Sequence, residues 1–330
     1  MDFLSGNEAI VRGAINAGVK FFAGYPITPA STIMEKWVEK TQENKKLFFL
    51  QSEDEIAAIH HIIGSVLAGV PAFTATSGPG FSLMQEGLGL AFTYGAPIVV
   101  VNVMRSGPST GKPTRAGQGE ILSSKFGTHG DIMPFVIYPT SVEECYHYTV
   151  KAFEIAWKHR IPVIVLSDAY LASLKENGRW LMDNGWNKNR IFSTISYQSL
   201  TISHFTGLTD RIKNSGKIEE IKRISSNDYR FFNLWGNEKS DTLLIGLGSI
   251  ARALRAFENE YQIFAPIRIW PFLTEDIIKI AKNKKRIVVV EMNEGQYLGE
   301  VERTLKRKIE FVDWKEETIN LGKLKFLISN

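Results

Sequence analysis

The sequence predicts an α/β protein in which a mostly parallel sheet, covered by helices on both faces, is followed by a smaller α/β unit. Three observations predict it. Short, continuously apolar runs such as "PIVVVNVM" and "IPVIVLSDAYL" alternate with longer segments of helical periodicity. The alternation restarts at "DTLLIGLGS" after an aperiodic stretch. The length, 330 residues, favours two domains over one.

Taken in order, "GNEAIVRGAINAGV" has apolar residues at helical spacing, with Asn7 placed to cap its start. "KFFAGYP" reads as a strand closed by a proline turn, and "TPASTIMEKWVEKTQ" as a helix opening near Thr28 or Ser31. "KLFFLQS" is a strand and "EDEIAAIHHIIGSVLAGV" a long apolar helix. The strand "PAFTATS" leads into a Gly-opened helix, "GPGFSLMQEGLGLAFTYG", and then into "PIVVVNVM". "SVEECYHYTVKAFEIAWKHR" is a helix, and "IPVIVLSDAYL" is the strand after it. From 173 to 239 the periodicity fails, yet Trp and Phe stay too frequent for disorder, so a linker with packed aromatics is expected. The second unit, 240–330, runs through "IARALRAFENEY", "QIFAPIRIW", "TEDIIKIAKNK" and "KRIVVVEMNEG".

Bulk properties exclude several classes. At 44% hydrophobic and 22% charged residues the composition is that of an ordinary globular protein. The net charge of +4 is small, and the cluster "KNKKR" at 282–286 reads as a solvated face rather than a nucleic-acid stripe. The single cysteine, Cys145, excludes an internal disulfide and an iron–sulfur cluster held by this chain alone. No stretch has the length of a membrane span, and "MDFLSGNEAI" has no signal-peptide pattern, so a cytoplasmic protein is expected.

Ligands of a parallel sheet gather at the carboxyl ends of its strands. Those ends carry four unusual loops: "GYPITP", "QSEDE", "TSGPG" and "MRSGPSTGKPT". The last is not a P-loop, because only three residues separate Gly107 from Gly111 and Pro113 follows Lys112. Its chemistry suits a carboxylate instead. Arg105 can grip one through two parallel hydrogen bonds, and Ser106, Ser109, Thr110 and Thr114 surround it with hydroxyls. Glu53, Asp54 and Glu55 open a helix, where acids complement the macrodipole, and one of them could also serve as an acid–base group. The six histidines show no metal-ligand spacing; His129 of "GTHGD" stays an unassigned loop candidate. "GLGSIARAL" lacks the third glycine of a dinucleotide fingerprint.

The same loops resemble the alpha subunit of 2-oxoacid:ferredoxin oxidoreductases, of the 2-oxoglutarate type. The matching stretches are "GNEAIVRGAINAG", "GYPITP", "EDEIAAI", "TATSGPGFSLMQEG", "RSGPSTGKPT", "GTHGD", "SDA", "WPF" and "EMNEGQ", in family order from residue 6 to about 296. The resemblance implies that residues 1–172 are the pyrimidine-binding domain of a thiamine diphosphate enzyme and that 240–330 are a transketolase C-terminal-like domain. It implies that thiamine diphosphate is shared with a beta subunit, which also supplies Mg²⁺ and a [4Fe–4S] cluster, and that this chain is inactive alone. Glu53 matches the glutamate that contacts the aminopyrimidine ring, and Pro26 and Ile27 fall in the same cofactor-binding stretch. Thr28, Arg105 and Thr114 match positions that hold the substrate carboxylate and neighbouring oxygens, whereas Lys112 matches a variable one. Asp54 and Glu55 keep the helix-start reading. The implied reaction is oxidative decarboxylation of a 2-oxoacid, with electrons passing to ferredoxin and the acyl group to coenzyme A. A gamma or delta subunit would be a separate chain. Pyruvate or a branched-chain oxoacid as substrate, and a non-catalytic partner-binding role, are the alternatives.

Overall fold

The structure, a computed structural model, describes residues 3–179, 216, 218–219, 221–222, 228–316 and 318–329. The chain begins with β1 (Phe3–Ser5), α1 (Gly6–Asn16), β2 (Phe21–Gly24), α2 (Ser31–Glu43), β3 (Phe48–Gln51), α3 (Glu55–Leu67) and β4 (Ala72–Thr76). It continues through α4 (Pro79–Leu83), α5 (Gln85–Tyr94), β5 (Val99–Met104), α6 (Ser123–Phe126), β6 (Phe135–Ile137), α7 (Val142–His159), β7 (Val163–Asp168), α8 (Ala169–Ser173) and β8 (Lys175–Asn177). The later elements are β9 (Phe232–Gly236), β10 (Thr242–Gly246), α9 (Gly248–Leu254), β11 (Gln262–Pro266), β12 (Arg268–Trp270), α10 (Thr274–Ala281), β13 (Arg286–Glu291), α11 (Leu298–Leu305), β14 (Glu310–Asp313) and α12 (Leu321–Ser329).

Seven strands form the first sheet in the order β12-β6-β7-β5-β4-β2-β3. All pairs are parallel except β12 with β6. The apolar runs mark its centre: every residue of β4 and β5 is buried, as expected where helices cover both faces. Phe22, Trp37 and Phe73 meet edge to face beneath α2, with ring centroids 4.9 Å (Phe22–Phe73) and 5.1 Å (Trp37–Phe73) apart. Trp37 keeps its polar handle satisfied by donating to Phe48 O at 2.9 Å.

The start of α1 differs from the sequence expectation. Ser5 is the cap, accepting from Glu8 N while Glu8 returns a bond to Ser5 N. Asn7 is buried instead and donates through Nδ2 to Pro29 O and Thr32 Oγ1, tying α1 to the loop after β2 and to the first turn of α2. The helix read through 78–95 breaks at Met84 into α4 and α5.

A second, five-stranded sheet has the order β14-β13-β10-β11-β9, with only β9 antiparallel. Its edge strand β9 lies inside 173–239, and Tyr229 and Phe231 just before it pack on Phe135 and Tyr148, respectively. Most of the remaining linker segment lies outside the described residues. "QIFAPIRIW" divides at Ile267: β11 stays in the second sheet while β12 joins the first.

Buried polar groups hold the two sheets together at the ends of their strands. Tyr138, just past β6, donates to Asp168 at the end of β7 at 2.5 Å, and Asp168 also accepts from Ser249 N at 3.2 Å. Gln118 donates to Tyr138 Oη and Leu247 O and accepts from Met292 N. No described helix is long and apolar enough to cross a membrane.

Candidate active site

In the first sheet β3 and β4 lie on opposite sides of β2, so the loops leaving β2 and β4 diverge. That divergence is a topological switch point, where open α/β sheets open a crevice. Arg105, the residue after β5, spans it. Its side chain is buried, 6% exposed, and Nη1 donates to Thr28 O at 2.7 Å in the loop after β2. Nη2 donates to Thr110 O at 2.7 Å in its own loop. Its stem crosses Gly78 after β4, where a Cβ would stand 3.3 Å from Nε on a backbone of φ +46°. Only a glycine serves well at that position. Nε is buried and has no hydrogen-bond partner among the described residues.

The loop itself is closed on its own backbone. Lys112 N donates to Ser106 O at 2.9 Å, Ser106 N to Arg115 O at 2.8 Å, and Gly111 N to Pro108 O at 3.1 Å. A phosphate cradle needs such N–H groups turned outward. Lys112 and Thr114 are exposed on the rim, as is His129 beyond α6.

Glu53 leaves the end of β3, the edge strand. Ser52 N donates to Gly24 O at 2.9 Å, which carries the ladder one step further and brings Glu53 out beside Tyr25 and Pro26. Glu53 is exposed, and no hydrogen bond or ion pair engages its carboxylate among the described residues. Tyr25, Leu50 and Ile56 are exposed around it. Pro26 and Thr28 are exposed as well, while Ile27 packs partly on the core. Through its bond to Thr28 O, the buried Arg105 side chain underlies the turn that exposes Pro26 and Thr28. Glu53 lies three strand spacings from β5, roughly 14 Å at the usual separation.

Glu55 departs from its helix-start reading, and a further buried acid, Glu120, had no part in the sequence reading. Asp54 is indeed the cap of α3, accepting from Ala57 N at 2.7 Å, but Glu55 turns inward and is 5% exposed. Burial raises its pKa; its own backbone N–H opposes the rise, the Asp54 charge adds to it, and Arg105 also opposes it. A Cβ on Gly80 would collide with Glu55 and Thr76, so the glycine of "SGPG" makes room for that carboxyl. Glu120, in the loop leading to α6, is pushed up to about 7 by burial, against the pull of its own backbone N–H and of Arg105. Its only sequence signal is a lone acid between a glycine and apolar residues, too common to single out.

Residues 12–193 match the thiamine diphosphate-binding part of the pyruvate flavodoxin/ferredoxin oxidoreductases. The chain belongs to this family. It is 38% identical over 328 residues to the 2-oxoglutarate synthase subunit KorA of Archaeoglobus fulgidus, covering 95% of this chain and 94% of that one. The KorA subunit of Methanocaldococcus jannaschii is 35% identical, with 94% of each chain covered. A ketoisovalerate oxidoreductase subunit, VorB of Methanothermobacter thermautotrophicus, is 32% identical over 89% of this chain and 86% of that one. Among solved structures, a 2-oxoglutarate:ferredoxin oxidoreductase from Magnetococcus marinus superposes with a TM-score of 0.82 and 26% identity. This chain is covered over 99% of its length but spans only 65% of that longer one. A split-gene transketolase shares the fold, with a TM-score of 0.61 at 12% identity.

A free carboxylate at an open strand end, beside an exposed proline turn and apolar side chains, fits the aminopyrimidine end of thiamine diphosphate. Among the described residues no group of three or more His, Cys, Asp or Glu is placed to hold a metal ion.

Proposed function

We propose that this chain is the alpha subunit of a coenzyme A-acylating 2-oxoacid:ferredoxin oxidoreductase acting on 2-oxoglutarate. Arg105 carries the reading. It is a buried guanidinium that spans the switch-point crevice beside the exposed "GYPITP" loop and still has unused donors. It binds the carboxylate next to the reacting carbonyl, with Thr28 and Thr114 completing the grip from the rim. Glu53 holds and moves a proton at the aminopyrimidine nitrogen, flanked by Pro26 and Ile27. Thiamine diphosphate, when bound, supplies the electron sink for the carbon that loses CO₂.

The site faces outward, which suits a cofactor completed by a beta subunit that brings Mg²⁺ and a [4Fe–4S] cluster. Ferredoxin takes the electrons and coenzyme A the acyl group; gamma or delta subunits are separate chains, and the assembly is cytoplasmic. Residues 1–172 act as the pyrimidine-binding domain and 240–330 as the transketolase-like domain, with 173–239 between them.

The test is co-expression with the beta subunit and assay of coenzyme A-dependent ferredoxin reduction. Turnover is expected to be fastest with 2-oxoglutarate. The likeness to a ketoisovalerate subunit makes 2-oxoisovalerate the informative competitor, with pyruvate beside it. No turnover with any 2-oxoacid from a cluster-loaded complex would sink the proposal.

A further inference from the structure

Arg105 and Thr114 sit on one tongue, residues 105–117, that leaves the first sheet at the end of β5 and folds back on itself. Its two ends lie against each other. Ser106 N donates to Arg115 O at 2.8 Å. At Gly117 a Cβ would stand 2.9 Å from Arg105 O and 3.0 Å from Ser106 Cα, so backbone packs directly on backbone. The outgoing end is fixed by β5. The returning end is fixed by Gln118, which is fully buried and anchored mostly in the second unit. Its N–H donates to Met292 O at 3.1 Å, and its side-chain oxygen accepts from Met292 N at 3.0 Å, just past β13. Gln118 O accepts from Asn293 Nδ2 at 2.8 Å. Gln118 Nε2 donates to Leu247 O after β10 at 2.9 Å and to Tyr138 Oη past β6 at 3.0 Å. Every polar group of Gln118 is engaged.

We propose that Gly117 and Gln118 are positioning residues for the oxoacid: through them the second unit sets the place of the Arg105 guanidinium, and with it the affinity for the substrate carboxylate. The inference rests on the reading of Arg105 as the carboxylate grip.

The physical reason is that a bidentate grip is directional, and two parallel N–H···O bonds require a guanidinium plane that does not wander. Arg105 is steadied at Nη2 by Thr110 O, in the middle of the tongue, and at Nη1 by Thr28 O. A shift of the returning end moves the Arg105 backbone, Thr110 O and Thr114 together. Gly117 has no side chain that could yield and absorb the shift, so close packing transmits it. Glu53 lies after β3, on another loop, and does not share the movement.

The measurement is steady-state kinetics of the assembled, cofactor-loaded complex with its beta subunit, with KM taken separately for 2-oxoglutarate and for coenzyme A. Gly117→Ala sets a methyl group against the Arg105 carbonyl. It is expected to raise the oxoacid KM about tenfold while kcat and the coenzyme A KM stay within about twofold of wild type. Gly119→Ala is the control, because a Cβ there meets nothing within 4 Å, and it should match the wild type. Gln118→Met keeps the length of the side chain without its hydrogen bonds and should raise the same KM. A merely structural role would reduce the fraction of assembled enzyme, lowering apparent kcat and moving neither KM. That result, or an equal rise in both KM values, would overturn the proposal. Arg105→Ala separates the two readings. If it leaves the oxoacid KM unchanged, the carboxylate grip itself is wrong. If it raises that KM while Gly117→Ala and Gln118→Met do not, only the role of the second unit falls.

Discussion

Arg105 is buried by three loops while Glu53 stands in the open, so their loss should be felt differently. A hydrogen bond to a charged group contributes roughly 1.5–3 kcal/mol. Arg105→Ala is therefore expected to raise the apparent KM for 2-oxoglutarate about ten- to a hundredfold in steady-state assays, with a smaller effect on kcat. Glu53→Ala should instead lower kcat by roughly a hundredfold or more and leave the melting temperature unchanged, because its exposed carboxylate supports nothing else. Near-normal turnover in that variant would remove Glu53 from proton handling. Glu120 also leaves a mark on stability. Its folded-state pKa of about 7 lies above the ordinary glutamate value, so the folded chain holds the proton more tightly. The associated stability is fully present below the ordinary value and is lost as pH rises through 7. At about 1.4 kcal/mol per pKa unit, the loss from pH 4 to 8 relative to Glu120→Gln is bounded at roughly 3 kcal/mol, readable by denaturant unfolding.

Two glycines one helix apart test how the elements are built. Gly80 lies in α4 where a side chain would strike Glu55 and Thr76. Gly80→Ala is expected to destabilise the chain by about 1–3 kcal/mol in thermal unfolding, the usual range for overpacking. Gly64, inside α3, has nothing within 4 Å of a Cβ. Gly64→Ala should stabilise by about 0.5–1 kcal/mol, since only the backbone entropy of glycine is removed. At this scale much was legible in advance. Strands β4 and β5 stood out because burial on both faces leaves no polar alternation to confuse them. Less was legible where elements are short: β6 is three residues between polar and proline-rich turns, and α4 and α5 run together as one apolar pattern. At the start of α1 both Ser5 and Asn7 are good caps by residue type, and only the approach of Pro29 and Thr32 decides that Asn7 points inward.

Across the whole molecule, Gln118 ties the two sheets, bonding Tyr138 of the first sheet and Leu247 and Met292 of the second unit. Gln118→Ala would leave Met292 N without its acceptor, at about 1–3 kcal/mol, while Tyr138 keeps Asp168 and Leu247 O keeps Ile250 N. That variant should unfold at a visibly lower temperature, and its loop should be digested faster in limited proteolysis. "EMNEGQ", quoted from the sequence as a family stretch, has a structural task at this scale: its backbone and side chains hold residues 118–122 in place.

By itself the sequence determined the alternation of strands and helices, the four loops at the strand ends and the exclusion of a P-loop. These depend on local pattern, on apolar runs and on the spacing of glycine and proline. It also carried the family resemblance, because ordered loops are a local record. Only the tertiary structure decided which acids turn inward. Glu53 and Glu55 are two residues apart, yet the capping turn at Asp54 sends one to solvent and the other against Gly80. It alone brought Glu120 within reach of the field of Arg105, through bonds from residues more than 170 positions away. Burial and charge at a distance are sums over the fold, and no short stretch of sequence contains them.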